Sequence, residues 1–252
     1  MKLGIVSDVH SNLPAFMSVL EHMESQGVDK RISLGDTVGY GPFPNECVDL
    51  TLSHFNFILK GNHDEASYDT ETASYMNPLA KTAIEWTSKK LTKENKDTLK
   101  NLEYGFVTED GIMFVHGSPE APFQYISRIA NAINAFMNPI EDFQIAFVGH
   151  THVPAVWQTE DHKSAYVEPE FSTNHNTISE WEHYIGTERT IVNVGSVGQP
   201  RDNDPRASYA IFDTETNHLK IFKIPYAIDK TVAKMQQAQL PMDLWLRIMY
   251  GR

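Results

Sequence analysis

The segment Leu3-Gly4-Ile5-Val6-Ser7-Asp8-Val9-His10 joins a short apolar run to two side chains that can bind a metal. The run is strand-like, and Asp8 and His10 follow where it ends. The arrangement recurs four times. Arg31–Leu34 leads to Gly35-Asp36, and Phe55–Lys60 leads to Gly61-Asn62-His63-Asp64. Ile112–Val115 leads to His116-Gly117, and Ile145–Val148 leads to Gly149-His150-Thr151-His152. One such block alone reads as a turn or a capped core histidine. In open α/β sheets, however, ligands bind outside the carboxyl ends of the strands. Five strand ends that all deliver Asp, His or Asn to one edge make a site.

Between these strands the pattern changes to helix. Asn12 to Gly27 places Leu13, Phe16, Met17, Leu20 and Met23 on one face, with Asn12 as cap, Pro14 in the first turn and Gly27 at the end. A short helix is expected from Pro44 to Leu52 and a longer helical stretch over 77–103, with Leu79, Ala83 and Trp86 on one face. This βαβαβ alternation argues for parallel strands covered by helices. Asp110-Gly111 is a hairpin turn between Gly105–Thr108 and Ile112–Val115. A helix at 127–138 carries Ile129, Ala130, Ile133, Phe136 and Met137 as a core-packing stripe.

The second half reads as β-rich at Ala155–Gln158, Thr190–Val194, Ser208–Asp213 and Leu219–Ile224. A polar insert at about 159–189 holds His162, His175 and His183, read as surface residues. The tail from Ala227 is helical. Its Leu244, Trp245, Ile248 and Met249 need a neighbour, either the chain's own sheet or another subunit, which leaves the oligomeric state open.

Composition sets limits on partners. The 252 residues are 41% hydrophobic, enough to bury a full core, and one domain spanning 1–252 is expected. With 33 acidic against 21 basic residues the net charge is -12. Duplex tracking wants clustered Lys and Arg, so long nucleic acid is not an expected partner. A single cysteine, Cys47, cannot form an internal disulfide. The N-terminus lacks the pattern of a signal peptide, and no run is long enough to span a bilayer. A cytoplasmic protein without membrane association is expected.

The order Asp-x-His, Gly-Asp, Gly-Asn-His-Asp, His, Gly-His-x-His resembles the calcineurin-like metallophosphoesterase family, from Met1 to about Ile224. The resemblance implies a four-layer α/β/β/α sandwich of two mixed sheets flanked by helices, with the site between the sheets at one end. It also implies the ligand sets: Asp8, His10, Asp36 and His152 for a first metal, and Asp36, Asn62, His116 and His150 for a second. The donors are carboxylate, imidazole and amide with no thiolate. Such a set suits Mn²⁺, Fe, Zn²⁺ or Mg²⁺, with Mn²⁺ or Fe favoured. Asp36 has two oxygens and can bridge cations about 3.5–4 Å apart.

His63 resembles the family's histidine that donates to the leaving oxygen, and Asp64 is positioned in sequence to accept its other ring proton. Asn193–Arg201 also resembles a block of bacterial members, and either Arg201 or Arg206, which lies beyond the block, would face the substrate phosphate. Tyr40, Phe43, Phe123 and Tyr125 are candidates for an aromatic wall.

The expected activity is a dinuclear metal-dependent hydrolysis of phosphodiester or phosphoanhydride bonds in a small phosphorylated substrate. Diadenosine tetraphosphate is the first natural candidate. Two other readings stand beside it: a phosphomonoesterase acting on nucleotides or sugar phosphates, and a non-catalytic scaffold on the same fold.

Overall fold

A computed structural model describes the chain except residues 161 and 162. In chain order, β1 (Lys2–Val6), α1 (Leu13–Ser25), β2 (Lys30–Ser33), α2 (Pro44–His54) and β3 (Phe57–Ile58) form the alternating first part. Four helices follow: α3 (Asn62–Ala66), α4 (Thr70–Ser74), α5 (Pro78–Lys90) and α6 (Lys93–Lys100). Next come β4 (Gly105–Val107), β5 (Ile112–Val115), α7 (Ile129–Met137) and β6 (Ile145–Val148). The chain ends with β7 (Ala155–Glu160), β8 (Lys163–Val167), β9 (Ser179–Tyr184), β10 (Arg189–Asn193), β11 (Ala207–Asp213), β12 (His218–Ile224), α8 (Ile228–Gln237) and α9 (Met242–Tyr250).

The strands build two six-stranded sheets, ordered β3-β2-β1-β11-β12-β9 and β4-β5-β6-β10-β7-β8. Both are mixed. β1, β2 and β3 run parallel in the first, and β5, β6 and β10 in the second, with antiparallel strands beyond them. Successive side chains on a strand point to opposite faces, and each central strand here uses both. Leu3 and Ile5 of β1 meet Ile145 and Phe147 of β6 in the core between the sheets. Val6 faces Phe16, Val19 and Met23 of α1, while Ala146 and Val148 face Ala132, Ala135 and Phe136 of α7. Helix, sheet, sheet and helix are thus stacked as expected, each layer holding an apolar face on its neighbour.

Several local expectations need correction. On α1 the buried stripe is Ala15, Phe16, Val19, Leu20 and Met23, and Met17 is 56% exposed. The stretch 77–103 is two helices, since Leu91 adopts ψ 134 and Thr92 caps a new one. On α7 the small residues Ala132 and Ala135, with Phe136, face the sheet, whereas Ile129, Ile133 and Met137 are exposed. Small side chains let a helix sit close to a sheet, and that contact outweighed the wider apolar stripe. The 159–189 insert supplies the edge strands β8 and β9, one to each sheet. Within it His175 is exposed, but His183 is half-buried against Trp181, with rings 5.4 Å apart; His162 lies outside the described residues. The tail finds its neighbour within the chain: Leu244 and Ile248 are buried with Tyr40, Ala80, Ala83 and Met235. No helix among the described residues is long and apolar enough to cross a membrane.

Candidate metal centre

All the expected ligands lie just beyond the carboxyl ends of parallel strands: β1 for Asp8 and His10, β2 for Asp36, β3 for Asn62, β5 for His116, and β6 for His150 and His152. The loop after β10 joins the two sheets behind them. Val197 N–H donates to Ser7 O (3.0 Å) and Gly198 N–H to Asp8 O (2.9 Å). His150 N–H donates to Asp8 Oδ2 (2.9 Å), and His63 N–H to Asp36 Oδ1 (2.7 Å). Each carboxylate is therefore pinned by one oxygen while the other, Asp8 Oδ1 or Asp36 Oδ2, is buried without a hydrogen-bond partner.

The imidazoles repeat this division. His10 Nδ1 donates to Val38 O (3.0 Å), His116 Nδ1 to Leu34 O (3.1 Å) and His152 Nδ1 to Gln199 O (2.6 Å). A carbonyl can only accept, so each ring is fixed with its proton on Nδ1, and its Nε2 lone pair is aimed inward. His10 Nε2 and His152 Nε2 then stand 3.2 Å apart, and His116 Nε2 is 3.1 Å from His150 Nδ1. Asp8 Oδ1 lies 3.2 Å from His152 Nε2, and Asp36 Oδ2 lies 3.3 Å from His116 Nε2. With these imidazoles neutral, lone pairs converge on lone pairs. Only positive charge placed among them removes the repulsion. Asp8, His10 and His152 form one buried group able to hold a metal ion, and Asp36, His116 and His150 form another. Asn62 Oδ1 is a further buried acceptor without a partner. The residues fit the two cations that the resemblance implies.

The backbone at these positions is strained. Asp8 (φ 55°), His10 (47°), Asp36 (53°), His150 (64°) and His152 (64°) all sit in the left-handed region. Each non-glycine residue held in a sparsely populated region costs about 1–3 kcal/mol, and such strain concentrates at functional sites. Glycines make the close approaches possible. A Cβ on Gly61 would fall on Asp36 Oδ1, and one on Gly149 would fall on Ser7 Oγ.

Titration follows from this crowding. Burial alone would lower the His116 pKa, but the Asp36 and Asp8 carboxylates beside it overcome burial and raise it to about 9. Burial opposes ionisation of Asp36, yet the surrounding histidines hold its pKa well below the usual range. Burial, then the neighbouring His116, brings His150 down to about 3.

His63 sits beside the ligands, its ring 4.8 Å from His10 and 4.4 Å from Tyr40. Burial lowers its pKa to about 4, with the Arg201 guanidinium adding to the effect. The expected pairing with Asp64 does not form, and His63 Nδ1 has no partner. Asp64 instead accepts from Gly61 N–H (3.0 Å) and Val38 N–H (3.1 Å), closing the first turn of α3. Adjacent residues on a helix do not face each other, which is why an Asn-His-Asp sequence did not give a His-Asp contact. Burial and the nearby Asp36 raise Asp64 to about 7.

Of the two arginines, Arg206 is unavailable to substrate. It is buried against Asp204, and its remaining donors reach Ser172 O (2.7 Å) and Thr177 O (2.8 Å). Arg201 lies by the site, its guanidinium 5.9 Å from the Tyr40 ring centre and one amine on Gln199 Oε1 (3.0 Å). Tyr40, Phe123 and Tyr125 line a cleft of about 450 Å³ that opens on Asn62, His63 and His150. Phe43 packs instead in the core under α1. Sequence reasoning missed the orienting carbonyls of Leu34, Val38 and Gln199, since backbone acceptors leave no trace in residue type. It also missed Asn193, which donates to Gly149 O (2.6 Å) and Thr151 Oγ1 (2.9 Å).

Comparison with known proteins agrees with this geometry. Residues 1–217 match the calcineurin-like phosphoesterase superfamily domain. An uncharacterized protein of Methanocaldococcus jannaschii is 32% identical, over 99% of this chain and 98% of its own. The crystal structure of a metallophosphoesterase from Sphaerobacter thermophilus superposes with a TM-score of 0.86 at 37% identity, covering 100% of this chain and 99% of that one. A hypothetical protein of Pyrococcus horikoshii OT3 shares the fold, with a TM-score of 0.77 at 19% identity over 100% and 98% of the two chains. The chain belongs to the calcineurin-like phosphoesterase superfamily.

Proposed function

We propose that this protein is a dinuclear metal-dependent hydrolase of phosphodiester or phosphoanhydride bonds in small molecules. One observation carries the reading: buried acceptors on Asp8, Asp36 and Asn62 that have no hydrogen-bond partner converge with the Nε2 atoms of His10, His116 and His152 and with His150 Nδ1. Asp8, His10, Asp36 and His152 would hold one cation, and Asp36, Asn62, His116 and His150 the other. When bound, two divalent cations lower the pKa of coordinated water and screen the phosphoryl oxygens. The oxygen- and nitrogen-only donor set favours Mn²⁺ or Fe.

The chain's own residues do the rest. The carbonyls of Val38, Leu34 and Gln199 hold three imidazoles in place before substrate arrives. Arg201 would meet a phosphoryl oxygen from the Tyr40 side. His63 would pass a proton through a ring nitrogen to the leaving oxygen. Its pKa of about 4 makes it neutral in the free protein at neutral pH. A bound phosphate brings negative charge beside the ring and shifts it toward protonation.

Diesters and anhydrides both suit this arrangement, and diadenosine tetraphosphate is the natural anhydride to try first. The test is a panel of dinucleoside polyphosphates, cyclic nucleotides, bis-aryl phosphate and monoesters at equal concentration with Mn²⁺, with products identified. Bis-aryl phosphate should be cleaved faster than the aryl monoester. A monoester preference across the panel would overturn the choice of bond, and no hydrolysis of any member would point to a scaffold.

A further inference from the structure

Resting on the proposed hydrolase activity, the cleft walls narrow the substrate. The cleft shares Asn62, His63 and His150 with the metal centre, so whatever group leaves the phosphate in that direction must lie along it. Two features of its walls matter. The first is aromatic surface. Tyr125 lies flat on His150, ring centres 3.9 Å apart and planes within 17°, and is 48% exposed. Tyr75, which follows α4, also lines the cleft and is 83% exposed. An exposed tyrosine with no packing role offers a free face to a flat ring, and stacking is tolerant of ring identity.

The second feature is charge. No Lys or Arg lines the cleft among the described residues, and its one ionisable carboxylate is Glu65. Glu65 is held in place: Tyr104 Oη–H donates to Oε2 (3.0 Å) and Thr72 Oγ1–H to Oε1 (3.1 Å). Sites that take polyphosphates surround them with cations or with open helix N-termini; the α5 N-terminus that lines this cleft is capped by its own chain, Ala80 N–H donating to Asn77 Oδ1 (3.0 Å). Arg201, by Tyr40, and the metal centre serve the reacting phosphate, whereas a fixed carboxylate among the lining residues does the reverse, since each further phosphate in the cleft would face a like charge.

We propose that the cleft accepts a phosphodiester whose leaving arm ends in a flat aromatic ring and bears no further phosphate, with Tyr75 and Tyr125 as the ring-binding residues and Glu65 as the group that rejects additional phosphates. Diadenosine tetraphosphate has suitable rings but places extra phosphates beside Glu65. It should therefore be a poorer substrate than a dinucleoside monophosphate.

The test compares kcat/KM of the Mn²⁺-loaded wild type, Tyr75→Ala, Tyr125→Ala and Glu65→Gln on three substrates: bis(4-nitrophenyl) phosphate, bis(2,2,2-trifluoroethyl) phosphate, whose leaving arm has no ring, and diadenosine tetraphosphate. In Tyr75→Ala, a surface change with little risk to folding, KM for the bis-aryl ester should rise about tenfold more than for the bis-alkyl ester, the scale of one stacking contact. Glu65→Gln keeps the hydroxyl contacts in reach and should improve the tetraphosphate about tenfold relative to the bis-aryl ester. Equal effects of the tyrosine variants on the aryl and alkyl esters, or no relative gain in Glu65→Gln, would overturn the inference while leaving the hydrolase reading intact. Loss of that reading would appear as no wild-type turnover of any of the three.

Discussion

Two regions in which the molecule buries charge are built on opposite principles. Around Arg206 the cation meets its anion. Arg206 Nε is 2.9 Å from Asp204 Oδ1 and 3.0 Å from Asp204 Oδ2. At the strand ends the anions and lone pairs meet each other. Asp8 Oδ1 and Asp36 Oδ2 are orphaned, and pairs of imidazole nitrogens face one another at 3.1–3.2 Å. The first region is complete as protein and ties the 172–177 loop to β11. The second is complete only with positive charge from outside. Burial alone therefore does not mark a site; burial with the balance left open does.

The largest expected effect comes from removing Asp36, the carboxylate proposed to be shared by the two cations. Asp36→Ala should lose activity and at least one metal per chain, measured by turnover and elemental analysis. Full occupancy with normal turnover would contradict the role given to it. His63→Ala should keep its metals and lose about 10²–10⁴-fold in rate on a poor leaving group, the usual range for general acid catalysis. The loss should shrink with an activated aryl leaving group. Equal loss on both, with metal lost as well, would make His63 a ligand.

Arg206→Ala attacks the complete region instead. Leaving Asp204 buried and unpaired should cost about 3–5 kcal/mol in denaturant unfolding, while metal content stays at the wild-type value. A stable variant that loses metal would erase the distinction between the two regions.

The smallest effect is in pH. His116 has a folded pKa of about 9 against an ordinary 6.5. The folded state then holds the extra proton between those values, so His116 contributes stability that is fully present below pH 6.5 and lost as pH rises through 9. Chelated protein should show that fall in Tm. Protein with excess Mn²⁺ should not, because metal binding displaces the His116 proton and tightens as pH rises. Parallel Tm curves for the two forms would speak against His116 as a ligand.

These contrasts also explain what the chain disclosed. The five strand ends were legible because buried strands are nearly unbroken apolar runs, and Asp or His directly after such a run has few structural uses. The edge strands were hidden. Ser179–Tyr184 reads Ser-Glu-Trp-Glu-His-Tyr, whose inward face is only Trp181 and His183. α3 and α4 are five residues each, too short for a periodic signal. α7 is apolar nearly all round, so its composition could not say which face would be buried. The His63–Asp64 pairing failed for a geometric reason that sequence adjacency conceals: the Asp64 side chain turns back to the N–H groups of Gly61 and Val38.

The most direct measurement is metal stoichiometry in protein purified without chelator and then reconstituted with Mn²⁺. Two orphaned carboxylate oxygens and two facing pairs of imidazole nitrogens call for two cations per chain, with the second lost in Asp36→Ala. Fewer than one equivalent, not recovered by added Mn²⁺, would contradict the claim that metal ions complete this cluster.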